Sequence, residues 1–378
     1  MAIKILPITK DNLAVVSRAA AKFGMPRSEG WLRRCMFDPT VEDLVQDPIR
    51  GHMAVDENGE VVAVQGYYYQ PCYFRQTRVL GNTGCIMGAD AKCGENLICV
   101  LDKNKETRQR GVVGFGNEIA TQRSAKVSKM VSRHVPAPYR SYEHRVGVSD
   151  VAAYPVIALN RLGAPVWVKN VAWLVCRPLA WVMRRVGGVL PGRDGYDLSV
   201  SKTTQVEGLK EFWQRFLEAN TGLVSSREPE RLKWLFEDSM NAGKVHMVVA
   251  KKEGRIEGYV LIREVEKKNI GAGLAKGFEI IDICAVGNEI KCLRALARAA
   301  LSLAGKLGGM KVLFYGYMPK QEEWIDDIFK IRIKDDHPYF MYRGYTPEVK
   351  DSLEKSEGWF FGPFDGEKCM GYGGYIDL

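Results

Sequence analysis

The sequence predicts an α/β (α+β) chain built from two similar units in tandem, and three observations carry that prediction. At 378 residues the chain is longer than one hydrophobic core usually supports. With 46% hydrophobic and 26% charged residues it holds apolar material for two cores and is too mixed in charge for a disordered chain. A succession of apolar runs and polar turns in the first half then recurs, in the same order, in the second.

The recurrence is clearest at two hairpins. His52-Met53-Ala54-Val55 leads through Asp56-Glu57-Asn58-Gly59 into residues 60–67, and Val248-Val249-Ala250 leads through Lys251-Lys252-Glu253-Gly254 into residues 255–262. Each turn is closed by a glycine, which supplies the positive φ a tight turn needs. Ahead of the first hairpin the chain reads as a strand at 3–6 and helices at 10–23 and 31–37. Ahead of the second it reads as helices at 206–219 and 229–240, the latter opened by Pro229 and striped with Leu232, Leu235 and Phe236.

Behind each hairpin the order is strand, helix, strand, helix. The spacing predicts these at 82–90, 95–108, 112–115 and 118–130, and again at 278–286, 289–307, 311–315 and 321–329. The helix from Glu289 carries Ile290, Leu293, Leu296, Ala297, Ala300 and Leu301 on one side. The expected organisation is a first unit at 1–163, an interdomain segment at 164–200 and a second unit at 201–378.

The net charge of +9 favours anionic partners: nucleic acid, phosphorylated cofactors or acidic headgroups. The excess is spread along the chain and does not choose among them. Nine cysteines without a CxxC pair argue for reduced thiols and the cytosol, and with five histidines and no zinc spacing no metal is expected. The N-terminus lacks the apolar core of a secretion signal, and no run of some eighteen apolar residues suits a membrane span.

Residues 164–197 are different in kind, with Trp167, Trp173 and Trp181 set among Lys169, Arg177, Arg184 and Arg185 before a breaker cluster at 187–192. Two readings stay open. One is an interdomain helix that packs its tryptophans against both halves. The other is peripheral contact of 164–187 with an anionic membrane, at the inner face of the cell membrane.

Three stretches carry a family resemblance: Arg227-Glu228-Pro229-Glu230-Arg231-Leu232-Lys233-Trp234, Glu279-Ile280-Ile281-Asp282-Ile283, and Trp359-Phe360-Phe361-Gly362-Pro363-Phe364-Asp365-Gly366. With the element order, they make the chain resemble a tandem GNAT-type acyltransferase, of the kind related to Fem-type and surface-polysaccharide enzymes. The resemblance implies two units, each a mixed, mostly antiparallel sheet flanked by helices. It also implies a fourth strand that splays from the fifth, with the pantetheine arm of acyl-CoA in the gap. The turn from that strand into the next helix would meet the diphosphate with amide N–H groups and the positive helix end.

The matching turns read Ala91-Lys92-Cys93-Gly94-Glu95-Asn96 and Ala285-Val286-Gly287-Asn288-Glu289-Ile290. Lys92, Cys93, Gly94, Glu95 and Asn96, with Gly287 and Asn288, are therefore the candidate donor-binding residues. Neither turn carries the family's glycine-rich loop intact, and Glu95 and Glu289 suit ordinary helix capping as well. Asn117 and Glu118 follow the fifth strand of the first half, where an Asn can orient an amine and a Glu can take its proton, although Asn117 equally suits a helix cap. Tyr315 stands at the corresponding strand end of the second half, placed to protonate a leaving thiolate. His134, Pro136, Pro138, Tyr139, Arg140, His144 and Arg145 read as a loop over the first strand mouth.

The expected function is transfer of an acyl group from acetyl-CoA or another acyl-CoA, without a metal, to an amine on a sugar or peptide precursor. An aminoacyl-tRNA donor is a variant that the basic balance allows and no RNA-binding motif supports. The other class is a degenerate, non-catalytic binding or assembly factor at the membrane.

Overall fold

The computed structural model describes residues 3–45, 47–90, 94–109, 111, 113–116, 133–134, 140–145, 159, 162–186, 195–266, 276–316, 321–325, 328–329, 331–333, 341–344, 346–353 and 364. In chain order the strands of the first half are β1 (Lys4–Pro7), β2 (Gly51–Val55), β3 (Val61–Phe74), β4 (Thr77–Ala89), β5 (Val113–Gly116), β6 (Arg133–His134) and β7 (Arg140–Arg145). Those of the second are β8 (Asp197–Ser201), β9 (Leu223–Ser225), β10 (Val245–Lys252), β11 (Arg255–Glu266), β12 (Lys276–Ala285), β13 (Gly309–Gly316), β14 (Ile331–Ile333) and β15 (Met341–Gly344). The helices are α1 (Leu13–Lys22), α2 (Glu29–Met36), α3 (Gly94–Gln109), α4 (Val166–Val186), α5 (Leu209–Ala219), α6 (Pro229–Asn241), α7 (Ile290–Lys306), α8 (Glu322–Ile325) and α9 (Pro347–Leu353).

These elements form two units. Unit 1 comprises 1–139, 220–235 and 337–378, and unit 2 comprises 140–219 and 236–336. The unit 1 sheet runs β1-β2-β3-β4-β5-β15-β6, with β9 beside β3, and the unit 2 sheet runs β8-β10-β11-β12-β13-β7-β14. All neighbours are antiparallel except β4 with β5 and β12 with β13, which are parallel. The two sheets therefore share one topology, down to the position of a single parallel step.

Each sheet also borrows a strand from the other half of the chain. β15 completes unit 1 beside β5, and β7 completes unit 2 beside β13. This corrects the expectation of a loop at 134–145: His134 lies in β6, and Arg140, His144 and Arg145 lie in β7. The sequence Arg-Ser-Tyr-Glu-His-Arg has no apolar alternation, so nothing in it announces a strand.

The two foreseen hairpins form where their turns require. Gly59 closes the β2–β3 turn at φ 83°, and the Asp56 carboxylate accepts the amides of Asn58 and Glu60 at 2.9 Å each. Glu253 and Gly254, at φ 52° and 78°, join β10 to β11. A third tight turn, Arg75-Gln76, has φ of 49° and 65° without a glycine, and it extends β3 and β4 well beyond their expected ends.

The unit 2 core forms where α7 lies against β10–β13, burying Leu293, Leu296, Ala297 and Ala300 as their spacing predicts. Seven cysteines among the described residues are free thiols, five of them buried. No helix among the described residues is long and apolar enough to cross a membrane.

Candidate functional site

The parallel step is where both sheets open. Among the described residues of unit 1, β5 pairs with β4 through Gly81, Asn82 and Thr83, and no described strand pairs with β4 on that side from there to Ala89. In unit 2, pairing of β13 with β12 ends at Ile280, and β12 runs on to Ala285. A β-bulge sits at the start of each free stretch. Cys85 is skipped where Gly66 faces Ile86 and Tyr67 faces Gly84, and Ile281 is skipped where Leu261 faces Asp282 and Ile262 faces Ile280. A bulge re-aims the backbone and leaves an unpaired residue, which is how a strand is turned to offer its amides to a ligand.

The two openings differ in what fills them. In unit 2 the free stretch is covered: Ile281, Ile283, Cys284 and Ala285 are fully buried and Asp282 is 3% exposed. Its one acid is satisfied internally, since Tyr259 Oη donates to Asp282 at 2.7 Å, and in the paired part just before it Arg263 pairs with Glu279 at 2.6 Å. In unit 1 the free stretch is open on one side only, since Cys85 and Ile86 are buried at 5% and 2%. Gly84 is exposed with no atom of the described residues within 4 Å of where a Cβ would stand, and Met87 is 42% exposed.

The helices that follow differ as well. At the start of α7 the Glu289 carboxylate accepts the amides of Lys291 at 3.1 Å and Cys292 at 2.7 Å, and the Tyr196 hydroxyl at 2.7 Å. Burial raises the Glu289 pKa, and the bonds from Tyr196 and the two amides more than reverse this, leaving it below the usual value. A carboxylate thus occupies the helix amides where an anionic ligand would sit. The adjoining cleft of about 270 Å³ sets Glu253, Glu257 and Glu289 against Lys252 and Arg255. Gly287 and Asn288 form the turn above it with φ of 62° and 53°. In unit 1, α3 begins at Gly94, with no atom of the described residues within 4 Å of its Cβ position, followed by exposed Glu95 and half-buried Asn96.

A buried polar chain that the sequence did not single out fixes α3 over unit 1. Asn104 Nδ2 donates to the Gln65 carbonyl at 3.2 Å and to Gln65 Oε1 at 3.0 Å. Its Oδ1 lies 2.7 Å from His52 Nδ1, which must therefore carry the proton. Gln65 Nε2 reaches Met87 Sδ at 3.8 Å, so the chain extends to the open strand. Asn104 stands in mid-helix among polar residues, and nothing in its spacing separates it from a surface residue.

Of the other expected site residues, Lys92, Cys93, Asn117 and Glu118 lie outside the described residues, as do the predicted helix at 118–130 and the tail at 359–366 apart from Phe364. Tyr315 lies in β13 opposite Ser141 of β7. Among the described residues, no group of three His, Cys, Asp or Glu side chains lies close enough together to hold a metal ion.

No family model and no curated protein sequence matches the chain. Solved structures do. The chain is similar to a GCN5-related N-acetyltransferase from Kribbella flavida, with a TM-score of 0.51 and 12% identity over 91% of this chain and 72% of that one. It is similar to Saccharomyces cerevisiae N-myristoyltransferase with bound myristoyl-CoA, with a TM-score of 0.54 and 12% identity over 92% of this chain and 87% of that one. The fold is GNAT. A probable N-acyltransferase from Enterococcus faecalis shares it, with a TM-score of 0.54 and 11% identity over 92% of this chain and 74% of that one.

Within this GNAT fold the Arg-x-Pro-x-x-Leu-x-Trp stretch has a role its sequence position hides, because residues 220–235 belong to unit 1. Arg231 is fully buried there. Its guanidinium donates to the Ser226 carbonyl at 2.7 Å, Tyr68 Oη at 2.7 Å and Gln70 Oε1 at 3.2 Å, and its Nε lies 3.7 Å from the buried Asp38 carboxylate. The Phe364 ring packs under Arg231 and Arg227 at 5.0 and 4.5 Å. Trp234 Nε1 donates to the Arg34 carbonyl at 3.2 Å. The motif pins a segment of the second half into the first sheet, alongside the β9–β3 pairing.

Proposed function

We propose that the protein is an acyltransferase that takes an acyl group from acetyl-CoA or another acyl-CoA and moves it to an amine, with the donor held by unit 1. The observation that carries this reading is the strand edge beyond Thr83, with its bulge at Cys85 and no atom of the described residues within 4 Å of a Cβ at Gly84. The thioester carbonyl lies along this stretch, and backbone amides freed by the bulge stabilise the oxyanion. The neutral amine attacks the carbonyl carbon, the C–N bond forms, and the C–S bond breaks to release the CoA thiolate.

Gly94 and Asn96, with Lys92 and Cys93 just ahead of them, receive the diphosphate at the α3 N-terminus, and Lys92 offsets the charge of Glu95. Asn117 and Glu118 follow β5 directly: Asn117 orients the amine, and Glu118 takes its proton, directly or through water. In this reading unit 2 holds no donor. Glu289 caps the amides near Gly287 and Asn288, and Tyr315 has no part in the reaction. The acceptor is an amine on a sugar or peptide precursor, the class that the resemblance to Fem-type and surface-polysaccharide enzymes implies.

A thermal melt with acetyl-CoA and longer acyl-CoAs tests the reading. A ligand at about 100 times its Kd stabilises by about 2.7 kcal/mol, which raises the melting temperature measurably. An unchanged melt with every acyl-CoA sinks it.

A further inference from the structure

Helix α4 presents an apolar row to solvent that acyl transfer does not use. Of nine large apolar side chains exposed among the described residues, six lie between 162 and 175, so they form a patch and not a scatter. Trp167 is 68% exposed, Leu174 66% and Val175 71%, and their spacing with Val171 puts them on one helix face. Lys169, on the other side, is buried, and the helix packs against α7 within unit 2. By the same spacing the sequence continues the row at Trp181 and Val182.

The charge in the sequence of this helix is one-sided. From Val166 to Val186 the sequence of α4 has no Asp or Glu, and besides the buried Lys169 it carries Arg177, Arg184 and Arg185. A second copy seated on the row would bring these positive charges against their own image, which disfavours self-association. A surface of lipid phosphates meets both properties at once, since acyl chains cover the apolar row and headgroups neutralise the flanking cations. We infer that α4 is an interfacial helix that lies flat on an anionic bilayer. Its 21 residues cover roughly 31 Å at about 1.5 Å per residue. Lys169, Arg177 and Pro178 interrupt the apolar run and keep it at the surface.

Flotation of the full chain with vesicles tests this, using phosphatidylcholine alone or mixed with phosphatidylglycerol. The chain floats with the mixed vesicles, and raising salt from about 0.1 to about 0.5 M cuts the bound fraction by about tenfold or more. A Trp167→Glu/Leu174→Glu double variant stays in the soluble fraction while keeping its melting temperature and its response to acyl-CoA. Three results would overturn the inference: no flotation with either vesicle, equal flotation with both, or a double variant that floats like the parent. Light scattering that finds a dimer in the parent and a monomer in the variant also overturns it, by assigning the row to a second copy.

Discussion

Replacing Arg231 with methionine is expected to destabilise unit 1 by about 3–5 kcal/mol, the usual cost of removing one partner from a buried ion pair. The volume is nearly conserved, so the loss is electrostatic. The Tyr68, Gln70 and Ser226 groups that Arg231 bonds lose that partner, and Asp38 loses the guanidinium beside it. Asp38→Asn should cost far less. Burial pushes the Asp38 carboxyl above its ordinary value of 3.8, against the pull of Arg231 and the Thr40 hydrogen bonds. The folded chain therefore binds that proton more tightly than the unfolded chain does. By linkage the carboxyl's contribution to stability falls as pH rises from 3.8 through its folded pKa. An asparagine removes that penalty and can still accept the Thr40 amide, which Asp38 binds at 2.8 Å. Urea unfolding at neutral pH checks the order. Equal losses in the two variants would mean that Arg231 matters only as a counter-ion to Asp38.

Gly84→Leu carries the second large effect, on function and not on stability. No atom of the described residues lies within 4 Å of the Cβ position, and the backbone is not in the left-handed region, so a side chain can start there without strain. That position is where the proposed donor lies. The variant should melt within about 1 kcal/mol of the parent, as surface changes away from special features do. It should lose acyl-CoA binding, and acyl transfer should fall by about two orders of magnitude or more, as misplacement at a reacting centre does. A variant that binds acetyl-CoA like the parent would remove the donor from this gap.

Much of the fold was legible because it rests on local signals. Gly59 and Gly254 mark two hairpins, and the apolar side of α7 reads directly from Leu293, Leu296, Ala297 and Ala300. What escaped depends on distant partners. β7 is polar throughout and becomes a strand only because β13 and β14 receive it. The Arg75-Gln76 turn carries no glycine to announce it. The Arg-x-Pro-x-x-Leu-x-Trp stretch is visible in sequence, but its place in unit 1 depends on Tyr68 and Gln70, some 160 residues earlier.

The candidate site is the sharpest case. The turns ahead of Gly94 and Glu289 look alike in sequence, each with one glycine and one acid. What separates the two openings is burial along β4 and β12, together with a hydroxyl from Tyr196, 93 residues before Glu289. None of these can be read from the turns themselves.

Amide hydrogen exchange, followed with and without acetyl-CoA, tests the central claim most directly, because it reports where a ligand orders the backbone. Added protection is expected along residues 84–89 of β4 and in the first turn of α3, with β12 and the start of α7 unchanged. Protection confined to residues 281–285 and the first turn of α7 would contradict the claim and move the donor to unit 2.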